Sequence, residues 1–410
     1  MWINAILKKK INERNNMTHS RFVETDNNNV GNILQPIFEK GFDGMTEVMA
    51  SVLNIAMNIE RQEYLQAGRY ERSDERTGYA NGYKTRGIKT RMGKVEVNVP
   101  QVRNTEPYKP SMLECGQRQE KALTVAIAEM YVQGVSTRRV KKVMQKLCGF
   151  DVSSAQVSKA AQELDVVLKK WRERPLGEIK VLIVDARYEK VRVDGCVVSC
   201  SLLTACGIDG KGRRSVLGTS VSLSEAEVHW RNFFESLLTR GMHGLEFIVS
   251  DNHSGLKAAI RGVMPGVPWQ RCQFHLQQNA QAYITKKDLK ASVANDIRTI
   301  FDAPDTNEAS RLLKIYVEKY SKTQEKLALW MDENIPDGFA VFKLPPQMRK
   351  KLRTSNMLEN LNKQIKRRTR LVGVFPNEQS LLRLASAILS EISDDWETGK
   401  TYLNMKGLVD

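Results

Sequence analysis

Two aspartates stand where a carboxylate is costly. In Val181-Leu182-Ile183-Val184-Asp185-Ala186-Arg187 an acid interrupts a run too apolar to bury a charge uncompensated, so Asp185 needs a partner. In Phe247-Ile248-Val249-Ser250-Asp251-Asn252-His253 the acid closes a short apolar strand just before a helix begins, where open α/β sheets place ligands. On adjacent strands the two carboxylates would meet. Joined by a third, they would supply the hard oxygen donors that Mg²⁺ or Mn²⁺ prefers, and hence a site for phosphoryl transfer on a nucleic acid. Each also has an ordinary reading: Asp251 as a helix N-cap, and Asp185 as half of a buried salt bridge in the neighbourhood of Arg187. A third acid, Glu359, precedes a basic run, and on a helix Glu359, Lys363 and Lys366 fall at i, i+4 and i+7 on one face. That places an acid beside cations able to hold phosphates. By itself it is equally an exposed Glu–Lys pair worth a few tenths of a kcal/mol. Cys272 and His275 form a CxxH that no second CxxC or HxxxH complements, so structural zinc is not expected. A supporting role at the site competes there with an ordinary core histidine.

The elements that must carry these residues read as follows. Lys180–Arg192, Gly195–Ile208 and Ser215–Ser222 are strands joined through Asp194-Gly195 and Asp209-Gly210, and so antiparallel. A helix over Glu225–Arg240, a strand over Leu245–Val249, a helix over His253–Val263 and a strand over Trp269–Cys272 follow. This order, three strands and then alternation with helices, is that of an RNase H-like α/β core. Residues 281–350 are helical and polar, with helices expected over Asn295–Phe301, Ala309–Lys319 and Gln324–Asp332, and read as an all-α insertion. Residues 351–410 return to the core and end in helices.

Upstream, residues 1–30 are polar and read as a flexible arm, and apolar residues from Asn32 to Leu65 recur at helical spacing, giving one or two helices suited to packing or dimerisation. Arg86–Thr90 and Lys94–Val99 read as a basic β-hairpin, either a DNA contact or a solvated surface feature. Residues 113–172 carry helix-turn-helix punctuation: a stop at Gly134, an N-cap at Ser136 or Thr137, a stop near Gly149, and a capping box from Ser153 to Gln156. If the helix after Ser153 is the recognition helix, Ser154, Gln156 and Lys159 read bases or phosphates, with Arg138, Arg139, Lys141 and Lys142 on the backbone. The chain is thus read as multidomain α/β, with a helical and hairpin region over 31–112, a DNA-binding region over 113–172 and a core over 176–280 resumed at 351.

Lys and Arg outnumber Asp and Glu by 63 to 47 over 410 residues, a formal charge of +16. Nucleic acid is the partner this favours over acidic proteins or neutral ligands. The longest apolar runs fall far short of the roughly 18 residues a membrane span needs, and the first ten residues lack a signal-type apolar core. A cytoplasmic, nucleoid-associated protein is expected. The six cysteines, 115, 148, 196, 200, 206 and 272, form no CxxC and read as reduced, with 196, 200 and 206 on one side of the sheet, in the core.

The series Val184-Asp185-Ala186, Arg240-Gly241, Ser250-Asp251-Asn252-His253-Ser254-Gly255-Leu256, Trp269-Gln270-Arg271-Cys272-Gln273-Phe274-His275 and Thr354-Ser355-Asn356-Met357-Leu358-Glu359 resembles the Mutator-type transposases of bacterial insertion sequences, within the DDE group. The resemblance runs from Asn81-Gly82-Tyr83 through Gly134-Val135-Ser136-Thr137-Arg138 to the C-terminal region. It departs at Asn252, where relatives often carry Gly. The resemblance implies that Asp185, Asp251 and Glu359 hold two divalent ions, and that Cys272 and His275 support them. The basic run itself offers Lys363, Lys366, Arg367 and Arg370 as DNA contacts, and the resemblance implies that a homodimer bridges two terminal inverted repeats. Strand cleavage and joining to target duplex, through a copied-out circular intermediate, would follow. A non-catalytic helix-turn-helix regulator and an RNase H-type nuclease or resolvase are the competing readings.

Overall fold

The computed structural model describes residues 27–405 apart from 69, 114–117 and 287. Most of the expected arm lies outside these residues, as does Cys115, while the arm's last residues belong to a helix. The chain divides into two compact units, Met1–Glu163 and Leu164–Asp410.

In the first unit the apolar periodicity yields two helices, α1 (Asn27–Lys40) and α2 (Met45–Leu65), separated by a 3₁₀ turn over Gly41–Gly44. Only glycine fits at position 44, because a Cβ there would lie 2.1 Å from the Pro36 carbonyl oxygen. Helix α2 sets Met49, Leu53 and Met57 against the hairpin formed by β1 (Tyr79–Thr90) and β2 (Gly93–Arg103). Alternation decides which face is covered: Val95 and Val97 are buried and Lys94, Glu96 and Asn98 exposed. Both strands run farther than the expected Arg86–Thr90 and Lys94–Val99. Residues 79–85 are exposed whichever way they point, so the alternation that reveals a half-buried strand is missing there, and cross-strand pairing from Tyr79↔Arg103 to Thr90↔Gly93 holds them instead.

Helices α3 (Lys121–Val132), α4 (Thr137–Cys148) and α5 (Ser154–Gln162) close on a small core of Leu123, Ile127, Val140, Met144, Phe150 and Val157. Their punctuation is local chemistry. The Ser136 hydroxyl caps α4 through the Arg139 amide, Gly149 ends it at φ +68°, and Ser153 and Gln156 exchange the two hydrogen bonds of a capping box.

The second unit opens with α6 (Asp165–Arg172), whose Asp165 receives a two-pronged bond from the buried Arg383 at 2.6 and 2.7 Å. This helix, expected to belong with the residues before it, therefore packs on the last helix of the chain. The segment after it is fastened as well: Arg174 lies over the Trp171 ring and donates to the Val216 carbonyl at 2.6 Å.

Five strands form one mixed sheet in the order β5-β4-β3-β6-β7. They are β3 (Val181–Val193), β4 (Cys196–Ile208), β5 (Arg214–Ser222), β6 (Phe247–Ser250) and β7 (Trp269–Arg271). The first three pair antiparallel, and β6 and β7 continue beyond β3 in parallel. One face is covered by α7 (Glu227–Thr239) and α8 (Ser254–Val263), which bury Trp230, Phe234, Leu237 and Ile260 on Leu182, Val184, Leu203 and Ile248. The opposite face carries α14 (Asn356–Val372) and α15 (Glu378–Thr398), with Leu358, Leu361, Ile365, Leu384 and Ile388 on Val181, Ile183, Phe247 and Val249. Between β7 and α14, helices α9 (Gln273–Ala280), α10 (Leu289–Phe301), α11 (Thr306–Ser321), α12 (Glu325–Asn334) and α13 (Pro346–Leu352) complete the chain. The middle of this segment has its own core, around Val293, Ile297, Leu313, Leu327 and Met331. Cys200 and Cys206 are buried in the sheet's core, but Cys196 is exposed, because it opens β4 at the turn after Asp194-Gly195, beyond the reach of the covering helices. Among the described residues no helix is long and apolar enough to cross a membrane.

Candidate active site

Parallel pairing fixes where the two aspartates stand. Val181, Leu182 and Ile183 of β3 lie beside Phe247, Ile248 and Val249 of β6. Asp185 and Asp251 each follow two residues after the last of these pairs, so they share one level on neighbouring strands, where β6 stops and β3 runs on. Alternation also puts both on the face of Ile183 and Val249, which is the face that α14 covers.

Asp185 is not partnered by Arg187, which pairs with Glu189 at 2.6 Å. Its Oδ1 accepts the Ala186 amide at 2.9 Å, and its Oδ2 accepts Asn362 Nδ2 at 2.8 Å, from the helix above. Burial pushes its carboxyl up to about 6; the Ala186 amide and the His275 imidazole oppose that rise, and the charges of Asp251 and Glu225 add to it. Asp251 does not cap α8. The N-cap there is His253, and Asp251 Oδ1 instead accepts its neighbour Asn252's amide at 2.7 Å, leaving the side chain 43% exposed.

Two hydrogen bonds locate Glu359. One turn before it, the Ser355 amide and hydroxyl both donate to the buried Cys272 sulfur at 3.4 Å, and Cys272's own amide donates to the Ser250 carbonyl at 2.8 Å. One turn after it, Asn362 reaches Asp185. Glu359 is therefore held between the end of β6 and the middle of β3, on the side of α14 that faces the sheet. The surface Glu–Lys pair does not form: among the described residues Glu359 has no ion pair, and its Oε1 is buried without a hydrogen bond. Lys363, Lys366, Arg367 and Arg370, on the same helix, are exposed.

His275, in the first turn of α9, brings Nδ1 to 3.8 Å from Asp251 Oδ1 and finds no partner at hydrogen-bond distance there. The Cys272 thiol, above all, holds its imidazole protonated up to about 9, and the nearby aspartates add to that. Burial alone would push the Cys272 thiol up, yet the imidazole and Ser355 pull it below its ordinary range. The CxxH is thus a polarised pair beside Asp251.

Sequence reasoning missed two groups. Asn362 follows Glu359 at i+3, a spacing that signals a shared helix face and could have found it. Glu225 gave no signal; its side chain is only 11% exposed and lies 3.8 Å from His253 Nδ1. The arrangement is rich in hard oxygen donors and poor in compensation, with one carboxyl pushed up and a second oxygen buried unpaired. That donor set suits a divalent cation. Among the described residues no three His, Cys, Asp or Glu side chains close on one point tightly enough to hold an ion. Asp251 turns instead to its own loop amide, while Asp185 is held by Ala186 and Asn362.

In the first unit, Arg138, Arg139, Lys141 and Lys142 are exposed on α4, with Lys141 pairing to Asp151 at 3.2 Å. Ser154, Gln156 and Lys159 are exposed on α5, although the Gln156 carbonyl oxygen is engaged by the Ser153 amide at 3.0 Å.

Comparison with known proteins extends over the whole of this architecture. A transposase for insertion sequence element IS406 from Burkholderia multivorans is 52% identical over 90% of this chain and 95% of its own length. A transposase for insertion sequence element ISRM5 from Rhizobium meliloti is 41% identical over 89% and 92%. A transposase for insertion sequence element IS256 in transposon Tn4001 from Staphylococcus aureus is 37% identical over 88% and 93%. The profile of the family described as Transposase, Mutator family matches residues 24–399, and with relatives of this identity and coverage the chain belongs to the Mutator family of transposases.

Proposed function

We propose that this transposase binds the terminal inverted repeats of its insertion sequence, cleaves a strand at each end and joins the freed 3′-OH to target DNA, with Asp185, Asp251 and Glu359 as the metal-binding acids of a DDE site. One observation carries this reading. Two aspartates stand level on adjacent parallel strands, and the helix bonded to one of them presents a glutamate with a buried, unpaired oxygen. The sheet order, with three antiparallel strands extended by two parallel ones, supports an RNase H-like core, into which 281–350 is inserted as an all-α domain. The capped helices α4 and α5 support a helix-turn-helix over 113–172, preceded by the helical and hairpin region over 31–112.

The three acids would hold two Mg²⁺ or Mn²⁺ ions, which when bound supply activation of the attacking oxygen and charge stabilisation at the leaving oxygen. The chain's own groups do the rest. Asn362 fixes Asp185 through Oδ2, so that this carboxylate cannot swing away from its level. Cys272 ties β6 to the first turn of α14 and so sets the height of Glu359. His275 keeps a positive charge beside Asp251 and the developing negative charge on phosphorus-bound oxygens. Lys363, Lys366, Arg367 and Arg370 hold the phosphates of the strand being cut. In cleavage, water attacks phosphorus and the P–O3′ bond breaks to release a 3′-OH. In joining, that 3′-OH attacks a target phosphate in line, the target's own P–O3′ bond breaks, and the cut target strand leaves with a free 3′-OH. Two ends must be handled together, so a homodimer and a copied-out circular intermediate complete the proposal.

The test is incubation of purified protein with labelled element ends, a target plasmid and Mg²⁺. Parent protein should give joined products, while Asp185→Asn, Asp251→Asn and Glu359→Gln should bind ends and join none. Normal joining by any of the three would remove that residue from the site, and cleaved but unjoined ends from the parent would make the protein a nuclease.

A further inference from the structure

The first unit contains a groove of about 990 Å³ that shares Gln156 and Lys159 with the helix-turn-helix reading, while the rest of its lining lies outside that reading. One wall is the hairpin, the other is α5, and the segment around Arg118 and Gln119 runs between them. Its lining holds six basic residues, Lys84, Arg86, Lys89, Lys94, Arg118 and Lys159, against one acid, Glu163. No packed core needs such a lining, and its charge suits an anionic ligand.

The walls are fastened to each other. Lys89 sits over the Phe150 ring at 4.9 Å and donates to the Asp151 carbonyl at 2.7 Å, just before the Ser153 cap of α5. The backbone of Lys89 is bonded on both sides to the 118–120 segment, by the Lys89 amide to the Arg118 carbonyl at 2.9 Å and by the Glu120 amide to the Lys89 carbonyl at 2.8 Å. Glu120 then caps the hairpin turn, receiving the Arg91 amide at 2.8 Å. The hairpin thus stands at a fixed place beside α5. Gly87 belongs to the same design: a Cβ there would lie 3.0 Å from the Lys94 side chain, so glycine lets that lysine lie across the hairpin.

Resting on the reading of α5 as the recognition helix, we propose that the hairpin and α5 form one double-stranded-DNA surface. In it α5 enters the major groove, and the hairpin and Arg118 grip the phosphates flanking the bases it reads. The chemistry is a line of cations beside a helix whose exposed Lys159 opens into the same groove, with Lys94 exchanging its exposed partner Glu96, at 2.7 Å, for a phosphate. The hairpin then adds affinity and register without adding sequence preference.

The experiment titrates the full-length protein into a fluorescently labelled duplex carrying the terminal inverted repeat of the element that encodes it, at several salt concentrations. The triple variant Lys84→Gln, Lys94→Gln, Arg118→Gln should bind at least tenfold more weakly at moderate salt. Its log–log salt slope should be shallower by about 2 to 3, at roughly 0.9 per lost phosphate contact. Glu163→Gln, which removes the groove's acid without touching a basic group, should bind more tightly; circular dichroism melts check that each variant is folded. If the triple variant keeps parental affinity and slope while neutralising Arg138 and Arg139 lowers both, the groove is not the surface, and the helix-turn-helix reading stands without it. If the parent binds no duplex at all, the proposal falls together with the reading on which it rests.

Discussion

Replacing Asp185 with asparagine should stabilise the protein when no divalent cation is present. The Asp185 carboxyl is pushed up to about 6 from an ordinary 3.8, so the folded chain binds this proton more tightly than the unfolded chain does. Stability is therefore unaffected below about 3.8, is lost as pH rises through the interval from 3.8 to 6, and stays lost above it. The rise from 3.8 to about 6 corresponds to ~3 kcal/mol, which solvent screening at a partly exposed residue reduces to ~1.5–2.5 kcal/mol. Asparagine carries no charge to desolvate. Its one carbonyl can still accept the Ala186 amide, and a flip of the Asn362 amide presents an acceptor to the new NH₂. In a folding unit of this size the gain corresponds to roughly 3–10 °C in Tm. The assay is thermal unfolding of parent and variant at pH 4 and pH 8 in EDTA, then at pH 8 in Mg²⁺. The variant should match the parent at pH 4 and exceed it at pH 8. Mg²⁺ should raise the parent more than the variant, because only the parent keeps all three acids. A variant less stable than the parent at pH 8 in EDTA, or a gain equal at both pH values, would refute the burial argument.

Three further outcomes follow from the same geometry. Asn362→Leu removes the donor on Asp185 Oδ2, so half-saturation of strand transfer by Mg²⁺ should need at least about tenfold more of the ion; an unchanged Mg²⁺ curve contradicts the positioning role. Neutralising Arg138 and Arg139 should weaken end binding and flatten its salt dependence by about one unit per lost contact, read by fluorescence anisotropy. Gly255→Ala should cost ~2 kcal/mol or more in chemical denaturation, because its Cβ would meet the Glu225 carbonyl oxygen at 2.4 Å; a neutral effect would mean that the loop before α7 yields freely.

How much of this was legible beforehand depended on how local the cause is. The turns and caps were readable because their chemistry lies within four residues, as at Ser153 and Gln156. The sheet strands were readable from apolar runs bounded by Asp-Gly turns. The outer part of the hairpin was not, because residues 79–85 bury nothing and pairing alone makes them strand. Three helices of the inserted segment are legible but read shorter than they are, with α10 starting at Leu289 rather than Asn295 where polar residues interrupt the apolar stripe. Helix α13 is not legible, because its Pro346 stands at the first turn of a helix, where proline fits, and reads as a break. The level pairing of Asp185 with Asp251 required knowing that β6 joins β3 in parallel, which no neighbour in sequence specifies. Glu359 was the least legible. A glutamate beside lysines signals a surface pair, and only the tertiary bonds at Ser355 and Asn362 show that it points inward.

The bond from the Gln273 amide to the Arg353 carbonyl, 2.9 Å long, closes a ring. Between those two residues the chain leaves and re-enters the sheet domain through one doorway; its middle folds around a core of its own, while Val341, Leu344, Met348 and Leu352 pack back into the sheet's core. Growth, loss or exchange of material around that separate core leaves both doorposts standing, with Cys272 on one and Ser355 on the other. A protein built this way can change what lies beyond the doorway without altering where its last acid stands, since the length of an excursion costs little once its ends are tied together.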